Sequence, residues 1–175
     1  MKSAVEQLST YKSVHLNPKN IRTHFVGVPM IIWSAFLMLG TLRFAWQDHQ
    51  VSAAMILTLL VLAYYMMLHV RLAIGLVLFI IPVLFTTELV VHTEHPMLIA
   101  LAVFVVGWVI QFVGHKYEKA KPAFMDDLNQ LLIGPFFLMA EIYFMLGWEK
   151  DLAAEITPLA RDKRRALEAK LRGKS

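Results

Sequence analysis

Four apolar runs, residues 25–42, 51–68, 72–91 and 96–113, are each about 18–20 residues long, close to the length a helix needs to cross a bilayer's hydrocarbon core. In lipid a backbone must satisfy its own polar groups, which makes such runs helices. The polar joins at 43–50, 69–71 and 93–95 are short, so consecutive helices must run antiparallel. The expected fold is an all-α integral membrane protein with a bundle of four transmembrane helices. Composition agrees, with 58% apolar and 17% charged residues, against roughly a quarter charged in a soluble domain. No repeat or flexible linker divides the chain, so residues 1–175 are expected to form a single membrane domain. Its parts are a polar N-terminal segment (1–24), a helical membrane bundle (25–148) and a charged tail helix (149–175). The absence of cysteine excludes disulfides, thiolate metal sites and cysteine nucleophiles. Residues 1–24 contain no apolar core of signal-peptide type, so the first apolar run is expected to stay as an anchor.

Orientation follows from lysine and arginine. Lys2, Lys12, Lys19 and Arg22 precede the first run and Lys116, Lys119 and Lys121 follow the fourth, which puts both ends on the cytoplasmic face. The opposite loops hold Arg43, Asp48, Glu88 and Glu94. The net charge of +4, gathered in the tails, suits anionic headgroups better than nucleic acid. A further apolar stretch, 128–148, would as a fifth crossing export Arg161, Lys163, Arg164, Arg165, Lys170 and Arg172. Gly134-Pro135, with Asn129, Gln130 and Glu141, favours instead a re-entrant or interfacial hairpin. Beyond Trp148 comes a polar C-terminal helix, with Glu168 and Arg172 at the four-residue spacing, read as a solvated tail on or above the membrane surface.

This topology sorts the seven histidines by side: His15, His24, His69 and His115 on the cytoplasmic face, His49, His92 and His95 on the other. Ligands must lie within roughly 2 Å of one ion while the core between the faces is about 30 Å thick, so no site mixes the groups. On one straight helix His15 and His24, nine residues apart, would face opposite ways. Pro18 removes the difficulty, because it disfavours helix at Asn17 and lets the chain fold back. Asn20 is then the expected N-cap of the helix that enters the membrane through Arg22 and His24. His115 and Glu118 share a face at the end of the fourth helix, with Glu118 either a ligand or an acceptor that orients a ligand, and Pro122 stopping the helix near Lys121. Three imidazoles suit a redox-active transition metal such as iron and leave positions open for oxygen and a substrate. Glu88, His92 and His95 form a rival helical face, but Glu94 and Pro96 make that region a plain exposed turn; His49 and His69 read as loop residues.

Around these residues the chain resembles the Fe(II)-dependent 2-hydroxy fatty acid dioxygenases. In YKSVHLNPKNIRTHFVGVP, Tyr11, His15, Asn17, Pro18, Lys19, Asn20, His24 and Pro29 fall on the family's opening pattern. In GWVIQFVGHKYEKAKPAFMDDLNQLLIGPFFLMAEIYFMLGW, Gly107, Trp108, Gln111, Phe112, Gly114, His115, Glu118, Pro122, Ala123 and Pro135 match its later half, although the spacing from His115 to Glu118 is one residue shorter. The two blocks cover about a third of the chain, and the order of apolar segments between them is also similar.

The resemblance implies fatty acid α-oxidation: a 2-hydroxy long-chain fatty acid is oxidised by O2 to the acid one carbon shorter, with release of CO2. The substrate supplies all four electrons, so no flavin, nicotinamide or 2-oxoglutarate is required. It further implies that His15, His24 and His115 hold Fe(II), with the substrate's hydroxyl and carboxylate taking the open positions, and Lys19, Arg22, Lys116 or Lys119 balancing the carboxylate. Tyr11, Asn17, Asn20 and Gln111 are expected to line or support that site. The setting would be a bacterial inner membrane or the endoplasmic reticulum, multi-pass, with the metal site at the cytoplasmic face. A di-iron hydroxylase would need about eight histidines in clustered boxes, which seven dispersed ones do not supply. The remaining alternative is a non-catalytic scaffold, against which stands the density of motif matches around three histidines, or a small transporter, against which stands the near absence of ionisable residues in the four runs.

Overall fold

The computed structural model describes residues 2–47, 49–125 and 127–172; Asp48, one of the loop charges used above, lies outside them. The described elements are α1 (Ala4–Ser13), α2 (Pro18–Gly40), β1 (Arg43–Trp46), β2 (His49–Ser52), α3 (Ala53–Leu68), α4 (Val70–Val91), α5 (Pro96–Glu118), a 3-10 turn (Ala123–Met125), α6 (Gln130–Met145) and α7 (Lys150–Arg172). Contacts divide the chain into two units, Met1–Arg22 with Gly114–Ser175, and Thr23–Val113. The first turn of α2 and the last turn of α5 belong to the first unit.

The first unit begins with a side-chain N-cap. Ser3 Oγ accepts the N–H of Glu6 at 3.1 Å and starts α1. Pro18 keeps Asn17 out of the helical region, so α1 ends at Ser13 and α2 starts at the proline, where the missing N–H costs nothing. The cap of α2 is Asn17 rather than Asn20: Asn17 Oδ1 accepts the N–H of Lys19 at 2.9 Å, while Asn20 is buried within the first turn. The proline sits at the first helical position, so the cap must be the residue just before it.

Residues 128–148 do not form the expected hairpin. α6 runs unbroken through Pro135, because a proline in the second turn removes a single backbone bond while the residues after it are held by burial. Phe136, Phe137, Leu138, Met139 and Ala140 are all buried. At 16 residues α6 is about 24 Å long, short for a crossing. The tail is not merely solvated. Leu152, Ile156 and Ala160, four residues apart, form a buried stripe on α7, which packs along α1. Lys163 caps the contact, donating to Glu6 O at 3.2 Å, Ser9 Oγ at 2.9 Å and Thr10 Oγ1 at 2.7 Å. Partial burial lowers its pKa from the ordinary lysine value.

In the second unit α2, α4 and α5 are each long and apolar enough to cross a membrane. α3 is shorter than the expected span, with 16 residues, because Val51 and Ser52 belong to β2. The join at 43–52 is an antiparallel ribbon, Arg43 opposite Ser52 and Trp46 opposite His49, tied to α4 by an Arg43–Glu88 ion pair at 2.8 Å. Ser52 caps α3 through its Oγ, and His69, in extended conformation, is the only residue between α3 and α4. Phe36, Ala54, Ile80 and Val83 make the local core, whereas Leu59, Leu78, Phe85 and Leu98 are more than 60% exposed, as lipid-facing side chains would be.

Two glycines set the approach of α2 and α5. A Cβ on Gly27 would stand 2.9 Å from Gly107 O and 2.8 Å from Gln111 Nε2, and one on Gly107 would stand 2.9 Å from Ile31 Cγ1. Only residues without side chains let the backbones meet so closely. The contact lies one turn beyond His24 on α2 and about two turns before His115 on α5.

Candidate metal centre

Three local features deliver the histidines. His15 lies in the non-helical link that Pro18 enforces, His24 nearly two turns into α2, and His115 in the last turn of α5. All three are buried, at 0, 2 and 9% exposure. One ligating nitrogen from each lies within 4.8 Å of the other two, so the fold-back inferred from Pro18 is what the chain does. Among the described residues no other group of histidine, aspartate or glutamate meets that condition. Glu88, His92 and His95 do not assemble: His92 Nε2 sits 3.1 Å from Glu88 Oε1 on an exposed helix end, and His95 lies in the turn before α5.

His15 is held in one orientation. Its Nδ1 lies 2.6 Å from Tyr11 O; a carbonyl only accepts, so Nδ1 carries the proton and Nε2 keeps its lone pair for a metal. Its ring stacks on that of Tyr11 at 4.1 Å, nearly parallel, with Phe137 5.7 Å away on α6 and His115 edge-on at 4.9 Å. Burial pushes the Tyr11 phenol up from its ordinary pKa, so it stays neutral beside the histidine. Gly134 makes room for it, since a Cβ there would be 3.1 Å from Tyr11 Oη.

Glu118 organises the link. Its buried carboxylate accepts the N–H of Leu16 at 3.1 Å, the N–H of Asn17 at 2.8 Å and Asn20 Nδ2 at 3.1 Å. Asn17 Nδ2 donates to Tyr117 O at 3.0 Å. With its lone pairs used in this way, Glu118 serves as the anchor of the residues after His15 and is absent from the ligand cluster. Its charge is met by Arg164 of α7, with Nη1 3.6 Å from Oε1 and Nη2 donating to Glu118 O at 3.0 Å.

Other expected site residues are dispersed. Gln111 is buried and lies against Gly27. Lys19 is exposed and sits over the Tyr117 ring at 5.5 Å, and Arg22, Lys116 and Lys119 are also exposed. Lys119 has a positive φ of 55° and ends α5 three residues before Pro122. Sequence reasoning missed the Lys12–Glu141 ion pair, half-sheltered with the ammonium 5.6 Å from the Phe137 ring, and it missed Arg164. The spacing of Glu168 and Arg172 did not show a second basic neighbour, Arg164, whose Nε donates to Glu168 Oε1 at 2.7 Å while the Arg172 charge also acts on that carboxylate. Four residues in either direction are equivalent on a helix, so one glutamate can serve both.

Three buried imidazoles, without thiolate or carboxylate, fit a first-row transition ion. The fold and this cluster therefore define a class: a membrane-type helical protein with a buried three-histidine centre. Within that class the chain belongs to the Mpo1-like family, described as 2-hydroxy-palmitic acid dioxygenase Mpo1-like, whose family model matches residues 1–146. It is 35% identical over 153 residues to the 2-hydroxy-palmitic acid dioxygenase MPO1 of Saccharomyces cerevisiae (strain ATCC 204508 / S288c), covering 86% of this chain and 85% of that protein. No solved structure matches the chain.

Proposed function

We propose that the protein is an Fe(II)-dependent dioxygenase that converts a 2-hydroxy fatty acid and O2 into the fatty acid one carbon shorter, CO2 and water. The observation that carries the reading is the buried cluster of His15, His24 and His115 in a chain of this family. The atoms balance without a co-substrate: the hydroxylated carbon becomes the new carboxyl carbon, the old carboxyl leaves as CO2, and the four electrons lost reduce O2. Fe(II) held by the three imidazoles would supply the one-electron redox chemistry that lets O2 react with a closed-shell acid.

The chain's own residues supply the rest. Tyr11 O holds the proton on His15 Nδ1 and so keeps Nε2 as a donor. Glu118 pins Leu16 and Asn17, so that the link carrying His15 does not swing away. Tyr11 and Phe137 wall His15 with apolar rings and exclude water from it. Lys19, Arg22, Lys116 and Lys119, exposed on the turns of α2 and α5 that carry the histidines, give a positive field for a carboxylate headgroup. The acyl chain stays among apolar helix faces within the bilayer, with the chain multi-pass and its centre at the cytoplasmic face.

The test incubates purified, Fe(II)-loaded protein with 2-hydroxypalmitate and O2 and seeks the 15-carbon acid by mass spectrometry. Its appearance, and its loss on chelation or removal of O2, supports the reading. Bound iron with no shortened acid refutes the assigned reaction.

A further inference from the structure

The tail helix α7 lies beyond the residues that the family model matches, yet it reaches the candidate centre. Arg164 makes three contacts there. Nη2 donates to Glu118 O, an end carbonyl of α5 that lacks a partner within the helix. Nη1 faces the Glu118 carboxylate, and Nε is held from behind by Glu168. The Glu118 side chain is only 3% exposed, and its other three partners, Leu16, Asn17 and Asn20, are neutral donors. A carboxylate so buried needs an opposite charge, and among the described residues Arg164 is the cation placed against it.

Two histidines hang on that carboxylate. Leu16 and Asn17 directly follow His15, and Glu118 itself lies three residues after His115 on α5. We propose that Arg164 is a positioning residue of the metal centre: by neutralising and locating Glu118, α7 holds the His15 link against the end of α5 and thereby sets how tightly a metal is retained. This inference rests on the metal-site reading above. Lys163, the adjacent residue, provides the internal control, since it docks α7 on α1 through Glu6, Ser9 and Thr10 without touching Glu118.

The experiment titrates the full-length protein in detergent with Co(II), whose visible spectrum reports histidine coordination directly and needs no turnover. Outer partners of metal ligands typically change affinity by about 10–100-fold, and Arg164, acting through Glu118, is expected near the lower end. R164A should weaken Co(II) binding about tenfold, R164K should recover part of the loss, and K163A should leave affinity unchanged although α7 is less well docked. In an E118Q background, R164A should add little further loss, because the charge it answers has gone. Wild-type binding with unchanged affinity in R164A overturns the inference, as does a loss in K163A equal to that in R164A, which would make the effect one of docking. No histidine-type Co(II) spectrum from the wild-type protein would overturn the metal-site reading and this inference with it.

Discussion

Glu118→Ala is the most informative perturbation of the centre. The substitution strands the N–H of Leu16, the N–H of Asn17 and Asn20 Nδ2, which donate to the carboxylate at 3.1, 2.8 and 3.1 Å, and it leaves Arg164 with Glu168 but without the buried carboxylate that Nη1 faces. A hydrogen bond to a charged group contributes about 1.5 kcal/mol at the low end, so three of them amount to about 4.5 kcal/mol. That agrees with the 3–5 kcal/mol typical of removing one partner from a buried ion pair. Denaturant unfolding of the metal-free protein in detergent, followed by tryptophan fluorescence and circular dichroism, measures it. The loss should appear without metal, because every donor concerned belongs to the protein. Coordination should also weaken, by about 10–100-fold in a Co(II) titration, since His15 is no longer tied to the end of α5. Metal-free stability within about 1 kcal/mol of wild type would refute the reasoning, because the carboxylate would then carry no share of the link's order.

Three further outcomes are expected. Replacing His15, His24 or His115 by alanine should abolish stoichiometric metal by elemental analysis while helical content by circular dichroism is retained; a fully metal-loaded H115A would refute its place in the cluster. Gly107→Ala forces a Cβ to within 3.2 Å of Gly27 O and should destabilise the α2–α5 crossing by about 1–3 kcal/mol in detergent unfolding, so an unchanged midpoint would contradict the close approach. The Arg164 hydrogen bond lowers the Glu168 pKa from the usual glutamate value, so the pair's contribution is fully present above that value and is lost as pH falls through the lower folded one. Carbon-13 NMR of labelled glutamate should show the Glu168 pKa rising toward the usual glutamate value in R164A, and no change would remove Arg164 as the cause.

Features governed by local chemistry were legible along the chain. Membrane-length runs gave the long helices, because the bilayer constrains length and backbone bonding before any neighbour is considered. Pro18 gave the break between His15 and His24, because the restriction on the preceding residue is covalent geometry. The resemblance named the same three histidines, which the fold draws together within 4.8 Å.

Where the reading failed, an outcome depended on partners distant in sequence. Pro135 could break α6 or be carried through it, and the burial of Phe136 and Phe137 decided for continuity. The tail had charge enough to be solvated, and the stripe of Leu152, Ile156 and Ala160 docked it on α1 instead. The choice that the spacing of His115 and Glu118 left open, ligand or supporting acceptor, likewise turns on distant partners: the carboxylate meets Leu16, Asn17, Asn20 and Arg164, none of which pattern alone could assign to it. The sequence by itself determined the long membrane-length helices and the break at Pro18, since those choices are made within a few residues. Which carboxylate anchors which link was decided by tertiary packing, because a buried charge settles on the partner that the fold brings within reach.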